Sequence, residues 1–354
     1  MHFIQKPVRD GIDSAIYQIF HNYLKNLMKA AWRTDETSVL RGVRNKANYL
    51  NRDKIKPLGR VRMNKFKRIF ASLCIAGSMV PSAFGIDLST QWPERSPYAL
   101  SGSEFLQSVA GMSYEAREAA IVREIRSGNF PSHLRILKPI KTHMDGPSGK
   151  AITLTTYVTA DYLAIGSDSD FVRIPMNLLS AQTIAELFQA QLPTRKLVDA
   201  IYKQSSVKVK PRPMKPGKQM TSSRYYNQHN KTVQKQIDRI QELPNQLIAG
   251  HKKDIVLSRK LSKKPQAIVI YGWHRNAEKP IQPLSSVHGK HYADYSHGIR
   301  LVSDWAVLDI DGEKTQVRYD QILQSQDLWP LVSDEGRFTK DLFPQSLQGL
   351  KNRI

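Results

Sequence analysis

The sequence has a single cysteine among 354 residues, and that residue, Cys74, lies within a short apolar run near the start of the chain. Residues 86–354, which we predict below to be the mature protein, therefore contain no thiol. Disulfide bonds, cysteine-ligated zinc and a cysteine nucleophile are excluded for that part of the chain. A mature chain of roughly 270 residues must then be stabilised by its apolar interior, and it is long enough to bury one or two cores of ordinary size.

Acidic residues are also scarce, since 31 Asp and Glu stand against 53 Lys and Arg, for a net charge of +22. Residues 1–62 carry +8 of this charge and residues 63–85 carry +3, which leaves +11 for residues 86–354. A basic surface attracts polyanions. We expect the partner to be a cell-wall or other anionic envelope polymer, and predicted export disfavours nucleic acid. A solvated basic surface without a particular partner is the alternative.

Long apolar runs are missing as well, and the run around Cys74 has only about a dozen residues, too few to span a bilayer as a helix. A basic segment with Lys65, Lys67 and Arg68 precedes this run, and Ala83 and Gly85 follow it. This order is typical of a signal peptide, which we predict for residues 63–85, with a buried core helix as the alternative. The protein is then periplasmic or extracellular, its mature chain has no transmembrane segment, and residues 1–62 are a non-native upstream extension.

Apolar periodicity in the rest of the chain predicts an α+β fold. Residues 86–206 alternate helices with a β-hairpin, and residues 207–223 form a basic, proline-rich linker. Residues 224–335 are β-rich, with a hairpin turn at Asp311-Gly312, and residues 336–354 form a basic tail.

The histidines are concentrated in the β-rich half, where five of the ten lie between residues 251 and 297. His288, His291 and His297, with one carboxylate at Asp294, are separated by multiples of three residues. Imidazole titrates near neutral pH and binds transition metals readily. This segment is therefore the strongest functional signal in the sequence.

We predict that these side chains meet at the ends of strands, where a rigid sheet presents residues to a ligand. A metal site for zinc or another divalent ion would use His288, Asp294 and His297. The predicted catalytic residues are His251, Asp254, Asp294, Ser296 and His297. The predicted substrate-binding residues are Tyr271, Trp273, His274, His291, Tyr292, Tyr295 and Arg300, of which Arg300 would bind an anionic group.

Two alternatives to a metal site stay open. Ser296 or Ser286 could act as a nucleophile with a His–Asp pair, or the polar residues could form a structural cluster without catalysis. The sequence contains neither His-Glu-x-x-His nor Gly-x-Ser-x-Gly, so no motif decides between these readings.

The strings GHKKD, IYGWH and YADYSHGIRLV resemble those of a widespread uncharacterised family of exported bacterial proteins. The resemblance extends over about residues 100–335 and implies export and one shared architecture. It supplies no mechanism.

The strings Val-His-Gly at residues 287–289 and Ser-His-Gly-Ile-Arg at residues 296–300 are similar to the signature of the L,D-transpeptidases that cross-link peptidoglycan. That family has a nucleophilic cysteine after the second glycine, where this chain has Ile299. Transpeptidation by that route is therefore excluded. The Ser, His and Asp spacing is also faintly similar to zinc peptidases that cut D-Ala-D-Ala bonds. Both similarities indicate the cell wall.

These observations predict an exported hydrolase of the peptidase or amidase type, acting on peptidoglycan or a related polymer through the His/Asp cluster. The alternative is a non-catalytic envelope- or glycan-binding protein, in which tyrosine and tryptophan rings would stack on sugars.

Overall fold

The structure is a computed structural model that describes residues 92–146, 149–240 and 245–342. The upstream extension predicted for residues 1–62 and the signal peptide predicted for residues 63–85 lie outside this range. The predicted basic tail lies outside it beyond residue 342. These predictions stay predictions.

The predicted α+β fold is confirmed, because helices and sheets alternate through the described residues. The α-helices are Gly102–Ser108 (α1), Tyr114–Arg126 (α2), Leu178–Leu187 (α3), Arg195–Gln204 (α4), Ser223–Ile237 (α5) and Tyr319–Gln324 (α6). The first five begin at a side chain that accepts a hydrogen bond from the first turn, namely Ser101, Ser113, Asn177, Thr194 and Ser222. Such caps satisfy amide groups that have no partner within the helix.

The larger sheet is antiparallel and holds five strands. They are Lys138–Asp145 (β1), Ala151–Val158 (β2), Ala190–Gln191 (β5), Val302–Ile310 (β12) and Glu313–Arg318 (β13). Their order is β1-β2-β12-β13, and β5 pairs with β12. The predicted hairpin turn joins β12 to β13, where Asp311 and Gly312 have φ values of 61° and 88°. Two positive φ values in succession are the geometry that a tight hairpin requires.

A second sheet has four strands, in the order β10-β9-β8-β11. They are Lys253–Ile255 (β8), Ile270–His274 (β9), Pro280–Ser285 (β10) and His297–Gly298 (β11). The short strand β11 runs parallel to β8, whereas the other pairs are antiparallel. Two further pairs complete the fold: the hairpin Ala164–Gly166 (β3) with Phe171–Arg173 (β4), and the parallel pair Val207–Lys208 (β6) with Ile248–Ala249 (β7).

The segment 207–223 does not separate two independently packed halves. Strand β2 precedes this segment and β12 follows it, yet the two strands pair with each other. Buried side chains from both sides of the segment belong to one hydrophobic core. The segment is extended after β6, and Val207 and Val209 pack on Val233 of α5. The predicted linker is therefore an ordered part of a single unit.

A buried ion pair joins the β3–β4 hairpin to α5. The Arg173 Nε lies 2.7 Å from Asp161 Oδ2, and both side chains are at most 2% exposed. The Arg173 Nη1 also donates to the side-chain oxygens of Asn230 and Gln234 in α5. Because a buried charge is tolerated only when it is paired and hydrogen-bonded, this contact determines where the hairpin and the helix meet.

In the part of the chain that the structure describes, no helix combines the length and the apolar character needed to cross a membrane.

We predict that Arg173→Met lowers the free energy of unfolding by about 3–5 kcal/mol, because it leaves the buried Asp161 carboxylate without its charged partner. The matched control is Arg195→Met, which breaks the half-exposed pair with Asp334 and should cost about 1 kcal/mol or less. Urea denaturation of both variants measures the difference. Equal losses would contradict the structural role of the buried pair.

Candidate functional site

The candidate site lies at one end of the four-stranded sheet, where β8 and β11 run side by side. His297 of β11 is paired in register with Lys253 of β8, and Gly298 with Asp254. The Trp273 amide at the end of β9 donates to the Lys252 carbonyl. The sheet thereby places the side chains at positions 253, 273 and 297 close together.

The loop before β11 is shaped by the Asp294 carboxylate. Its Oδ1 accepts hydrogen bonds from the Ser296 amide at 2.8 Å and from the Ser296 hydroxyl at 2.5 Å. Its Oδ2 accepts a hydrogen bond from the Tyr292 hydroxyl at 3.1 Å. A short polar side chain that binds the backbone two residues ahead stabilises a turn, and this turn positions His297.

His297 is completely buried, yet neither of its ring nitrogens has a hydrogen-bond partner among the described residues. Burial lowers the pKa of His297, and the Asp294 carboxylate opposes this effect only in part, so the pKa falls to about 4. The imidazole is therefore neutral at neutral pH. Unsatisfied buried polar groups are rare in folded proteins and call for an explanation.

At Asp294, the neighbouring groups outweigh the effect of burial on the pKa. Burial by itself would raise the pKa of the carboxyl group, but His297 and the two hydrogen bonds from Ser296 hold that pKa below its ordinary value. The group is therefore ionised at neutral pH. An ionised carboxylate next to a neutral imidazole can stabilise the imidazolium ion that forms when His297 takes up a proton.

The backbone of Trp273, next to Lys253 and His297, is strained. Its φ is 59°, a value that is unusual for a large side chain, and it directly follows Gly272 with φ 104°. The Trp273 ring is buried and lies 5.2 Å from the Lys253 ammonium group. Strained residues cost of the order of 1–3 kcal/mol and cluster at functional sites.

An open pocket of about 450 Å³ adjoins this cluster. Its lining consists of Tyr114, Gln266, Gly289, Lys290, His291 and Tyr292. Tyr292 belongs to both features, because its ring lines the pocket and its hydroxyl binds Asp294. The exposed His288 ring stacks on the Tyr292 ring with 4.0 Å between centroids, and the His297 ring meets the same tyrosine edge-on at 5.7 Å. Tyr292 therefore connects the pocket to the buried His–Asp pair.

Several predicted site residues lie elsewhere, each with its own partner. His251 Nε2 lies 3.2 Å from Asp161, and Asp254 accepts a hydrogen bond from Tyr162 at 2.8 Å. Both side chains are buried beneath the sheet. The structure therefore does not bring them to the pocket as the predicted catalytic assistants.

Arg300 is also placed differently from the prediction. It is fully buried, and its two terminal nitrogens donate to the carbonyl oxygens of Thr159 and Ile248. Because Arg300 is fully buried and both terminal nitrogens are engaged, it is not available to bind an anionic group of a substrate, and this prediction is corrected. Its role here is to join β7 to the end of β2.

Tyr271 and His274, predicted to bind substrate, form a separate group around Asp199 of α4. The His274 ring nitrogen lies 2.8 Å and the Tyr271 hydroxyl 3.0 Å from the same carboxylate oxygen. The Tyr295 hydroxyl accepts a hydrogen bond from the Met214 amide. Of the predicted substrate-binding residues, only His291 and Tyr292 line the pocket.

The predicted metal ligands do not converge. His288 is exposed, whereas Asp294 and His297 are buried, and the ring of Tyr292 contacts both histidines. Within residues 92–146, 149–240 and 245–342, no group of three or more His, Cys, Asp or Glu side chains is arranged to hold a metal ion. We therefore derive no step that uses a metal.

A serine triad is not assembled either. The Ser296 hydroxyl donates directly to the Asp294 carboxylate. A triad needs an imidazole between the hydroxyl and the carboxylate, because the imidazole takes the proton of the nucleophile. Ser296 therefore acts as a structural partner of Asp294.

Two neighbouring lysines at the site were missed by the sequence analysis. The Lys252 Nζ is buried and donates to the Tyr295 carbonyl at 2.7 Å, and burial lowers its pKa to about 7. Burial also lowers the pKa of Lys253. The string Gly-His-Lys-Lys-Asp contained both residues, but consecutive lysines usually indicate a solvated turn. Tyr114 gave no sequence signal at all.

No protein-family model, curated protein or solved structure matches this chain. The function must therefore be inferred from the geometry of the site.

We predict that the free energy of unfolding decreases as pH falls from 6.5 to about 4. His251 and His297 have pKa values of about 4 in the folded state, against an ordinary 6.5, so in this range only the unfolded chain takes up their protons. Each of the two histidines then lowers the free energy of unfolding by about 1.4 kcal/mol per pH unit. Burial raises the pKa of Asp254 to about 6, so between pH 6 and 3.8 the folded chain takes up a proton there before the unfolded chain does. This uptake offsets the effect of one histidine on the free energy of unfolding.

Urea denaturation between pH 4 and 7 measures this slope. His297→Gln should make the slope shallower by about one proton, and the exposed His143→Gln serves as the matched control for replacing a histidine outside the site. An unchanged slope in His297→Gln would show that His297 is not held neutral in the folded state.

Proposed function

We propose that the protein is an exported hydrolase that acts on peptidoglycan or a related polymer of the cell envelope. The observation that carries this proposal is the buried His297 imidazole, whose nitrogens are unpartnered among the described residues, next to the ionised Asp294 at the wall of an open pocket. Perturbed pKa values and strained backbone concentrate at active sites, and this part of the molecule has both.

In the proposed reaction, His297 acts as the general base and Asp294 stabilises the imidazolium that results. A water molecule between His297 and the substrate loses its proton to the imidazole and attacks the scissile bond, and the imidazolium then returns the proton to the leaving group. Burial raises the pKa of Tyr292 well above its ordinary value. Tyr292 therefore stays neutral and serves as a hydrogen-bond donor.

Access to the base requires a movement of the pocket wall. His297 has no exposed surface, and Tyr292, with the stacked His288 ring, lies between it and the pocket. We propose that a substrate in the pocket displaces the Tyr292 ring. A sugar ring could stack on Tyr114 or Tyr292, and Lys290 could pair with a carboxylate of the same substrate.

A non-catalytic glycan-binding protein is the second candidate, and one observation favours it. Both oxygens of Asp294 are engaged by Ser296 and Tyr292 in the folded chain. The polar cluster could therefore serve to hold Tyr292 in place as a wall of a binding pocket. The two candidates differ in whether any bond of the polymer is broken.

We predict that His297→Gln and Asp294→Asn lower the rate of peptidoglycan hydrolysis at least about 100-fold, the usual contribution of a general base. Soluble fragments released from purified peptidoglycan are measured by mass spectrometry. His143→Gln and Asp327→Asn, at exposed positions outside the site, are the matched controls and should retain the wild-type rate.

Thermal unfolding of each variant separates loss of catalysis from loss of fold. Full activity in a folded His297→Gln variant would remove His297 from the mechanism. If the wild-type protein binds peptidoglycan and releases nothing, the glycan-binding candidate replaces the hydrolase.

A further inference from the structure

A row of cations lies along α5 and the extended segment that precedes it. Residues 203–239 contain ten Lys and Arg and a single acidic residue, Asp238. All ten cations are exposed, and we call the eight between residues 208 and 235 the basic ridge: Lys208, Lys210, Arg212, Lys215, Lys218, Arg224, Lys231 and Lys235. Within the described residues, none of these eight side chains forms an ion pair.

The helical half of the ridge is a straight stripe. Arg224, Lys231 and Lys235 are separated by seven and four residues, and this spacing places them on one face of α5. The opposite face carries the buried Tyr226 and Val233. At 1.5 Å per residue, the three cations extend over roughly 16 Å parallel to the helix axis.

The other half of the ridge runs antiparallel to the helix. The Gln236 side chain near the end of α5 binds the Lys210 carbonyl and accepts a hydrogen bond from Arg212. At the start of the helix, the Tyr225 hydroxyl donates to the Lys215 carbonyl. The prolines between these contacts keep the segment extended, so its backbone, which carries the other cations of the ridge, runs alongside α5.

The ridge leads to the candidate site. The Met214 amide donates to the Tyr295 hydroxyl at 2.8 Å, and the Tyr295 amide donates to the Met220 carbonyl at 2.9 Å. Tyr295 stands between Asp294 and Ser296 in the loop that positions His297. A polymer bound along the ridge would therefore reach the loop of the site.

We propose that the basic ridge binds a linear anionic glycan and guides it towards the loop 292–297. The choice of a glycan rests on the proposed function. Two observations of the ridge agree with it. Six of the eight cations are lysines, which act as point charges without the bidentate geometry that reads bases. The Tyr202 ring beside Lys208 is buried, and Tyr225 is only partly exposed and donates a hydrogen bond to the Lys215 carbonyl. Neither ring is a free platform for base stacking.

The test compares binding to a heparin oligosaccharide with binding to a DNA duplex of equal charge. The full chain carries Asp294→Asn, so that hydrolysis does not interfere, and the dissociation constants are measured by fluorescence polarisation at several salt concentrations. The charge reversal Lys231→Glu/Lys235→Glu should weaken heparin binding at least about tenfold and reduce its salt dependence.

Arg123→Glu/Arg126→Glu is the matched control, because it reverses two exposed cations in the last turn of a different helix, α2. This control should change the affinity less than about twofold. Equal losses in the two variants, no binding to heparin, or tighter binding to DNA would each overturn the proposal.

The proposal for the basic ridge and the proposed hydrolase function can be refuted independently of each other. Heparin binding that depends on Lys231 and Lys235, in a protein that hydrolyses nothing, would leave the ridge standing and remove the proposed function. Hydrolysis of peptidoglycan together with unchanged heparin affinity in the charge-reversed variant would support the proposed function and refute the role of the ridge.

Discussion

The buried pair of Asp161 and Arg173 is the contact on which the arrangement of this fold depends. Arg173 ends β4 and donates to two amide side chains of α5, while Asp161 also lies beside His251 at the entrance to β8. One ion pair thus joins the hairpin, the long helix and the second sheet. Both charges are buried, so separating them would leave an unpaired charge in the interior at a high cost in free energy. This cost fixes the positions of the three elements relative to one another.

The same burial divides the polar residues of the β-rich part into two kinds. Arg300, Asp254 and His274 each have a fixed partner, and they use their hydrogen-bonding capacity to connect elements of the fold. His297 is buried as deeply and has neither nitrogen hydrogen-bonded among the described residues, a property that it shares with His229 and His251. Of these three histidines, His297 is the one whose ring contacts Tyr292 at the wall of the pocket. In a low-dielectric interior an unsatisfied polar group is costly, and we interpret that cost as the sign of a functional group.

The position of the site follows from the sheet. The parallel pairing of β11 with β8 brings Lys253 and His297 side by side, and the turn at Asp294 is held by its own carboxylate. The loop therefore has little freedom at its buried end, while His291 and Tyr292 at its outer end line the pocket. The segment that carries part of the basic ridge contacts this loop at Tyr295, through hydrogen bonds with Met214 and Met220.

The amino-acid sequence determined by itself the features that depend on neighbouring residues. The α+β class and the turn at Asp311-Gly312 were both predictable, because turns and periodicity are local properties. The concentration of histidines drew attention to the segment that supplies His291 and Tyr292 to the pocket, and its functional role stays a prediction. Only the tertiary structure decided which imidazoles share a site, since His251 and His274 found partners at Asp161 and Asp199, far earlier in the chain. Spacing along the chain does not encode such contacts, because the burial that creates them is contributed by distant elements.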